Sequence, residues 1–580
     1  SLAFYVLALL AKTSVVMLPP VLLLVWWWKE RRVGWAALRA TLPFFLVTIP
    51  LALVTIVLEH YRSAGEINVR PEGTLSIVAG VGWQLWFYLY KAFVPLSVSP
   101  LYPRWTINAA SATAWAPLLL YVAAVGAAWK SRAHSVGKAA LAILTYYALV
   151  LFPTFGLFGV SYHAYSLVAD HWQHLALVGV AISVAAGLHW AIAHSQGVHR
   201  QAVCAAAAAV VTVLAGLSWT EATHYHDLES WANHILATNP DASVAHAQLA
   251  AAMRERGDLD GAVAHWQKAL QLAPEYLPVY ATQASLASAL LDQGDAAACV
   301  DLCRKAIEER PQFAPAHICL ADALVQQGFP REAEGVLQTL VDLQPDQAVA
   351  CSKLGLLAGD RGADDESLRY ARQAAALDPS NAEFQYRLAC AHERRGEATA
   401  AMDHYRQSIA LSPSHAAACN NLASALLAQG NQPEARRLLM QAVAAAPDFA
   451  PAQYNLGLVE QQRGEIELAE SCFRLAMAAD PGHQDARRRL IALYNAAGTQ
   501  FARQKDWSQA RRQFAASIAL APDQALVHAN LGICLARLGD DRAALAQFDE
   551  ALAQDSRLEL ARRGRASVAG RHSAAATPLR

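Results

Sequence analysis

The side chains able to do chemistry sit in separate stretches of the chain. The segment SYHAYSLVADHWQH (residues 161–174) gathers His163, Asp170, His171 and His174 among Tyr162, Tyr165 and Trp172. Imidazoles beside a carboxylate can carry a proton, and Asp170 can fix the tautomer of His171. Two cations belong with this group: Lys12, inside an apolar run, and Arg104, in SPLYPRW (residues 99–105). Ionisable groups at membrane depth mark sites, so Lys12, Arg104, Asp170, His171 and His174 are candidates for holding a lipid phosphate or another substrate group. The competing reading for each is anchoring at the headgroup level, where basic and aromatic side chains sit at little cost. Asn421, Asn455 and Asn530 share one register of a repeat. A carboxamide there can bond both the N–H and the C=O of an extended peptide. Nine cysteines fall at 204, 299, 303, 319, 351, 390, 419, 472 and 534. Cys299 and Cys303 stand one helical turn apart, but no second pair completes a zinc motif. The thiols therefore read as small buried residues, with no metal expected. Neither a glycine-rich phosphate loop nor a Ser/His/Asp set is recognisable, so no catalytic residue and no cofactor is assigned.

Two unlike kinds of sequence must position these groups. The chain has 580 residues, 55% hydrophobic and only 16% charged, against about 25% charged in an average soluble protein. That balance excludes a disordered chain. The net charge of −1 excludes a uniformly basic nucleic-acid binder, but it is a cancellation. Residues 1–220 hold 13 Lys/Arg and 5 Asp/Glu, whereas residues 221–580 hold 34 and 43. Twelve of the 15 tryptophans also precede residue 221. Apolar runs at Leu2–Trp28, Leu42–Leu58, Thr113–Trp129, Ala139–Val160, Leu175–Ile192 and Ala202–Trp219 approach or exceed the ~18 residues that cross a bilayer. The expected first domain, 1–220, is therefore a multi-pass helical membrane domain. Basic loops stay cytoplasmic, which puts Lys29, Arg31, Arg32 and Arg39 on the same side as Lys130, Arg132 and Lys138. Both fit if Leu75–Ser99, with Gln84, Lys91 and Pro95 among its aromatics, lies in the interface. The chain after Trp219 then emerges outside. It opens at Ser1 with no signal-peptide pattern, and the expectation is that it begins within a larger membrane domain.

From about residue 240 prolines keep time. Pro240, Pro274, Pro311, Pro345, Pro379, Pro413, Pro447, Pro481 and Pro522 are spaced by 34 residues except for one gap of 37 and one of 41. This is the period of tetratricopeptide (TPR) units, helical hairpins that stack into a superhelix. With each unit's proline at position 32, position 7 is leucine (Leu249, Leu286, Leu320, Leu354, Leu388, Leu422, Leu456, Leu531). Position 15 is the turn glycine (Gly257, Gly294, Gly328, Gly362, Gly396, Gly430, Gly464, Gly539). Alanine recurs at position 20, and a large residue such as Trp266, Tyr405 or Phe548 at position 24. A connecting helix over 221–242, about nine repeats over 243–558 and a capping tail over 559–580 complete an all-α plan. The asparagines fall at position 6, and the widest gap implies a seven-residue insertion near Gln484–Leu490. Its Arg487-Arg488-Arg489 run reads as a solvated helix face. A protein or peptide in the superhelical groove is the expected partner, with membrane lipid and without nucleic acid.

The order of these pieces resembles the transmembrane and TPR repeat-containing protein O-mannosyltransferases and their bacterial relatives. Four segments carry the likeness: LALLAKTSVVMLPPVLLL (7–24), FYLYKAFVPLSVSPLYPRW (87–105), ADHWQHLALVG (169–179) and YHDLESWANHILATNP (225–240). His171 stands where many members have arginine. The position-6 asparagines are similar, in part, to the asparagine ladder of the O-GlcNAc transferase superhelix. The resemblance implies a GT-C-type glycosyltransferase taking a sugar from a polyprenyl phosphate to a protein, with the TPR array on the extracytoplasmic side of a bacterial inner membrane or the endoplasmic reticulum. It also implies a catalytic acid in a first outward loop upstream of this sequence, so that this stretch alone is inactive. A membrane-tethered protein-binding scaffold without chemistry is the alternative.

Overall fold

The computed structural model describes residues 2–11, 13–62, 73–156, 163, 165–274 and 278–575, and among them every regular element is helical. The chain forms two compact units, Ser1–Val336 and Leu337–Arg580.

The first unit opens with α1 (Leu2–Ala11), α2 (Leu18–Glu30), α3 (Trp35–Arg62), α4 (Thr74–Phe93), α5 (Ala112–Lys130), α6 (Ser135–Leu151), α7 (Leu177–Ala193), α8 (Gly197–Thr223) and α9 (Leu228–Thr238). Among the described residues four helical stretches are long and apolar enough to cross a membrane: Trp35–Leu58, Ala112–Lys130, Ser135–Thr154 and Gly197–Thr223. The run expected at Leu2–Trp28 is not one helix. It breaks into α1, a 3-10 turn at Thr13–Met17, and α2, which takes up Pro19 and Pro20 in its first turn, where a missing N–H costs nothing. The run expected at Leu175–Ile192 becomes α7, of 17 residues.

The helix expected to lie in the interface, α4, is wedged against α5. A Cβ on Gly82 would stand 2.2 Å from the Leu118 nitrogen, so only glycine permits this crossing. Its polar side chains are buried and bonded: Gln84 donates to the Leu167 carbonyl at 3.0 Å, and Lys91 to the carbonyls of Leu96 at 2.6 Å and Ser97 at 2.9 Å. Internal hydrogen bonds thus engage the Gln84 amide N–H and the Lys91 ammonium of this helix. At the other end of the bundle Lys138 donates to the Trp28 carbonyl and lies over that indole ring, so the two basic loops are neighbours.

The hairpins begin with α10 (Ser243–Glu255) and α11 (Leu259–Leu272), followed by α12 (Tyr280–Asp292), α13 (Ala296–Glu309), α14 (Ala314–Gln326) and α15 (Pro330–Leu343), in which the first unit ends. The second unit continues with α16 (Ala348–Asp360), α17 (Asp364–Leu377), α18 (Ala382–Arg394), α19 (Ala398–Leu411), α20 (Ala416–Ala428), α21 (Gln432–Ala445), α22 (Ala450–Gln462) and α23 (Ile466–Ala479). It closes with α24 (Gln484–Arg503), α25 (Trp507–Leu520), α26 (Ala525–Arg537), α27 (Asp541–Gln554) and the capping helix α28 (Glu559–Ala575), which buries Ala561 and Val568. All eight turn glycines have φ between 73° and 90°, a conformation that a Cβ disfavours. The residue after four of them caps the next helix, and Asp506, which follows Lys505, does the same: Asp258, Asp295, Asn431, Asp506 and Asp540 each accept from the backbone N–H three residues on. The position-7 leucines and the position-24 residues Trp266, Tyr405, Phe473, Phe514 and Phe548 are buried. The insertion is absorbed as helix: α24 has 20 residues where α22 has 13, about two extra turns. Arg488 and Arg489 are exposed on it, as a solvated face requires.

Candidate functional site

In the first unit the loop after α4 and the loop before α7 are tied together by Asp170. Its Oδ2 accepts from the Ser99 backbone N–H at 2.9 Å and from the Tyr102 hydroxyl at 2.6 Å, while Gln173 reaches Oδ1 at 3.4 Å. Burial, reinforced by the bond to Asp170, pushes the Tyr102 phenol far above its ordinary range, so it stays protonated and keeps donating. Tyr88 completes the tie by accepting from the Ala169 N–H at 3.0 Å. His163 is buried, with Nε2 2.9 Å from the Thr154 carbonyl and its ring edge-on to Trp172. Asp170 therefore acts on Ser99 and Tyr102, and it positions one loop against the other. His174 is exposed near the start of α7, and His171, of which the backbone alone is described, lies in the 3-10 turn Asp170–Trp172. Lys12 lies outside the described residues.

Two clefts flank this tie. One, of about 660 Å³, is lined by Trp83, Trp86, Phe87, Tyr90, Trp105 and Asn108, among others. The second, of about 270 Å³, sets Arg104 and Tyr165 against Asn239, Asp241 and Ser243, so the Arg104 loop borders the first hairpin. That neighbour is held there: His234 of α9 meets the Val98 carbonyl at 2.8 Å, and Thr238 donates to the Ser99 hydroxyl at 3.0 Å. Glu221, His224 and His234 gather close by, within 4.8 Å of one another. The two imidazoles stack at 4.2 Å, nearly parallel, so their lone pairs do not converge as metal ligands must.

In the second unit the position-6 asparagines are engaged with their neighbours. Asn421 donates to the Tyr405 hydroxyl at 3.2 Å and accepts from Asn420 at 3.1 Å. Asn455 donates to Asn420 Oδ1 at 2.8 Å and Ser424 at 3.3 Å. Adjacent repeats are thus linked through Asn420, and a peptide would have to share these amides or displace the bonds. Asn530 instead lines a cleft of about 250 Å³ with Thr499, Arg503, Trp507 and Ile533.

Sequence reading missed a second polar register. The position-4 side chains of His246, His317, Gln385, Gln453 and His528 each bond the carbonyl of the proline six residues upstream, at 2.8–3.3 Å. The signal was present as His or Gln two residues before asparagine or its equivalents, and it explains buried polar residues that do no chemistry.

The stacked helical hairpins define a repeat protein of the solenoid class. Residues 243–276, 290–354, 352–416, 393–457, 450–483 and 495–559 each match a family model described as tetratricopeptide repeat, and this part of the chain is a TPR array. Curated proteins give no match. Among solved structures, MamA is 22% identical, covering 29% of this chain and 97% of its own with a TM-score of 0.26. TTC0263, a TPR protein of Thermus thermophilus, is 21% identical, covering 32% and 100% with a TM-score of 0.29. YrrB, a TPR protein with an unusual peptide-binding site, is 20% identical, covering 33% and 98% with a TM-score of 0.27.

Proposed function

We propose that the chain is a multi-pass membrane protein whose TPR array recruits a protein or peptide to a loop site at the membrane surface, where a sugar passes to it from a polyprenyl-phosphate carrier. A TPR array is consistent with a protein-interaction scaffold, and the transfer is the finer part of the reading. Membrane residence is supported by the apolar surface of α8, where Val210, Val211, Val213 and Trp219 are all exposed. Such a helix has no stable place in water. The neighbouring basic loops support a common cytoplasmic side, which leaves the Asp170 loop and the array outside.

One observation carries the site: the aromatic cleft and the Arg104 cleft flank one loop tie, and the second cleft abuts the first hairpin. Flat aromatic walls suit isoprenoid chains and the apolar faces of sugars, and a guanidinium suits phosphate. The volume of the aromatic cleft is in the range of small-molecule sites. The test is binding of a polyprenyl phosphate by the full chain in lipid nanodiscs. Arg104→Ala is expected to weaken it by about tenfold or more, the loss of one charge-assisted contact. Absence of any polyprenyl-phosphate binding, with peptide binding intact, replaces this reading by the anchored scaffold.

A further inference from the structure

Three buried thiols are used by neither the loop site nor the groove. Cys299 and Cys303 lie on α13 and Cys319 on α14. The Cys299 sulfur stands 3.9 Å from that of Cys303 and 3.4 Å from that of Cys319, and all three sulfurs lie within 4.8 Å of one another. The first two residues are fully buried and Cys319 is 8% exposed. The spacing of Cys299 and Cys303 gave no hint of this, because the third sulfur comes from the next helix.

The repeat register shows why the cluster is unusual. Cys303 occupies position 24, where other units carry Trp266, Tyr405, Leu439, Phe473, Phe514 or Phe548. Cys299 takes the place of the close-packing alanine, and Cys319 the position-6 place held elsewhere by asparagine. A slot that other repeats fill with a ring or a leucine is here ringed by sulfur.

Burial selects the occupant. With three sulfurs this deeply buried, net charge on the loaded site is disfavoured. Soft thiolates select soft ions. On three thiolates a monovalent ion leaves two negative charges and a divalent ion one, whereas a trivalent ion leaves none.

We propose that Cys299, Cys303 and Cys319 form a three-coordinate thiol site for trivalent arsenic. Loading from arsenous acid is a condensation: three As–S bonds form, three As–O bonds break, and the thiol protons leave in three waters. Arsenic stays trivalent and nothing is oxidised. Cys319, the most exposed of the three, exchanges first.

The test uses the full chain in lipid nanodiscs, treated with arsenite and read by intact mass. The expected product carries one arsenic and lacks three hydrogens, and its melting temperature rises with arsenite concentration, as binding to the folded state requires. Cys303→Ser and Cys319→Ser are expected to lose the three-hydrogen signature and the thermal shift, while Cys351→Ser, equally buried on α16, keeps both. No adduct on the wild-type chain, or an unchanged adduct in Cys319→Ser, overturns the proposal. If the serine variants fail to fold, the wild-type thermal shift alone decides, and its absence is equally fatal.

Discussion

Two alanine-rich helices, α8 and α20, have similar composition and opposite fates. In α8, 27 residues long, no residue is buried. In α20, 13 residues long, Ala418, Cys419, Asn420, Leu422, Ala423 and Leu426 are buried. The difference is not in how apolar they are but in what interrupts them. The sequence of α20 places Asn420 and Ser424 where they accept from Asn455 of the next repeat, Asn421 where it donates to Tyr405 of the preceding one, and leucines in the buried seam. For α8 no such register exists from Ala205 to Leu217, and its apolar surface is left exposed. Alanine content is thus silent about environment, whereas the spacing of the polar residues speaks to it.

The strongest way to break this comparison is to charge α8. Val211→Arg combined with Leu214→Arg puts two guanidinium groups near the helix centre, each costing about 2.5–3.5 kcal/mol on insertion scales. The expected outcome is loss of α8 from the membrane, read as a change in which side of the bilayer exposes residues 243–558 to protease. Ala428→Arg, at an exposed end of α20, is expected to change stability by no more than about 0.5 kcal/mol. If the doubly charged α8 still inserts with unchanged topology, its exposed apolar surface is not facing lipid.

A subtler contrast uses the same substitution in both regions. A Cβ on Gly532 would sit 2.8 Å from the Phe548 ring, whereas one on Gly216 of α8 meets nothing within 4 Å. Gly457 stands against Phe473 and Gly498 against Phe514 in the same way, so each phenylalanine at position 24 faces a glycine at position 8. Gly532→Ala is expected to destabilise the array by about 1–3 kcal/mol through overpacking, measured by denaturant unfolding. For Gly216→Ala there is no clash, and alanine's helix propensity adds up to about 1 kcal/mol. Equal effects at the two sites would mean that the glycine–phenylalanine seam is looser than its geometry.

How much of this was legible beforehand follows from what each feature depends on. The hairpins, their turns and their buried leucines were readable because each unit repeats one local solution, and eight positive-φ glycines mark it. The insertion was placed to within a few residues of where α24 lengthens. The break between α1 and α2 is faint in the sequence, since Leu2–Trp28 is apolar but for Lys12, Thr13 and Ser14, and only these with the proline pair signal it. The Asp170 tie and the three-sulfur cluster were invisible for a different reason. Each joins side chains from separate elements, Tyr102 with Asp170 and Cys299 with Cys319, and spacing along the chain does not encode that meeting. The sequence places Asp170 beside His171 as a group able to fix its tautomer, and the structure shows a further use of the carboxylate, on Ser99 N–H and the Tyr102 hydroxyl.

The finest contrast lies within the array itself. At the turn between α24 and α25 the position that is glycine in eight other units is Lys505, and it adopts φ 63° all the same. The neighbouring helices impose the left-handed turn, and the side chain bears the strain, of the order of 1 kcal/mol for a non-glycine residue. Lys505→Gly removes that strain but adds backbone freedom to the unfolded chain, about 0.5–1 kcal/mol in the opposite direction. The net gain is expected to be a few tenths of a kcal/mol, a rise in melting temperature of about 1–2 °C for a unit of this size. The reverse change, Gly539→Lys, inserts the strain where φ is 88°, farther from the left-handed minimum, and its loss should exceed the gain at Lys505. Were Lys505→Gly to lower the melting temperature instead, the lysine side chain would be contributing a contact that outweighs its backbone strain, and the irregular unit would differ from its neighbours in more than helix length.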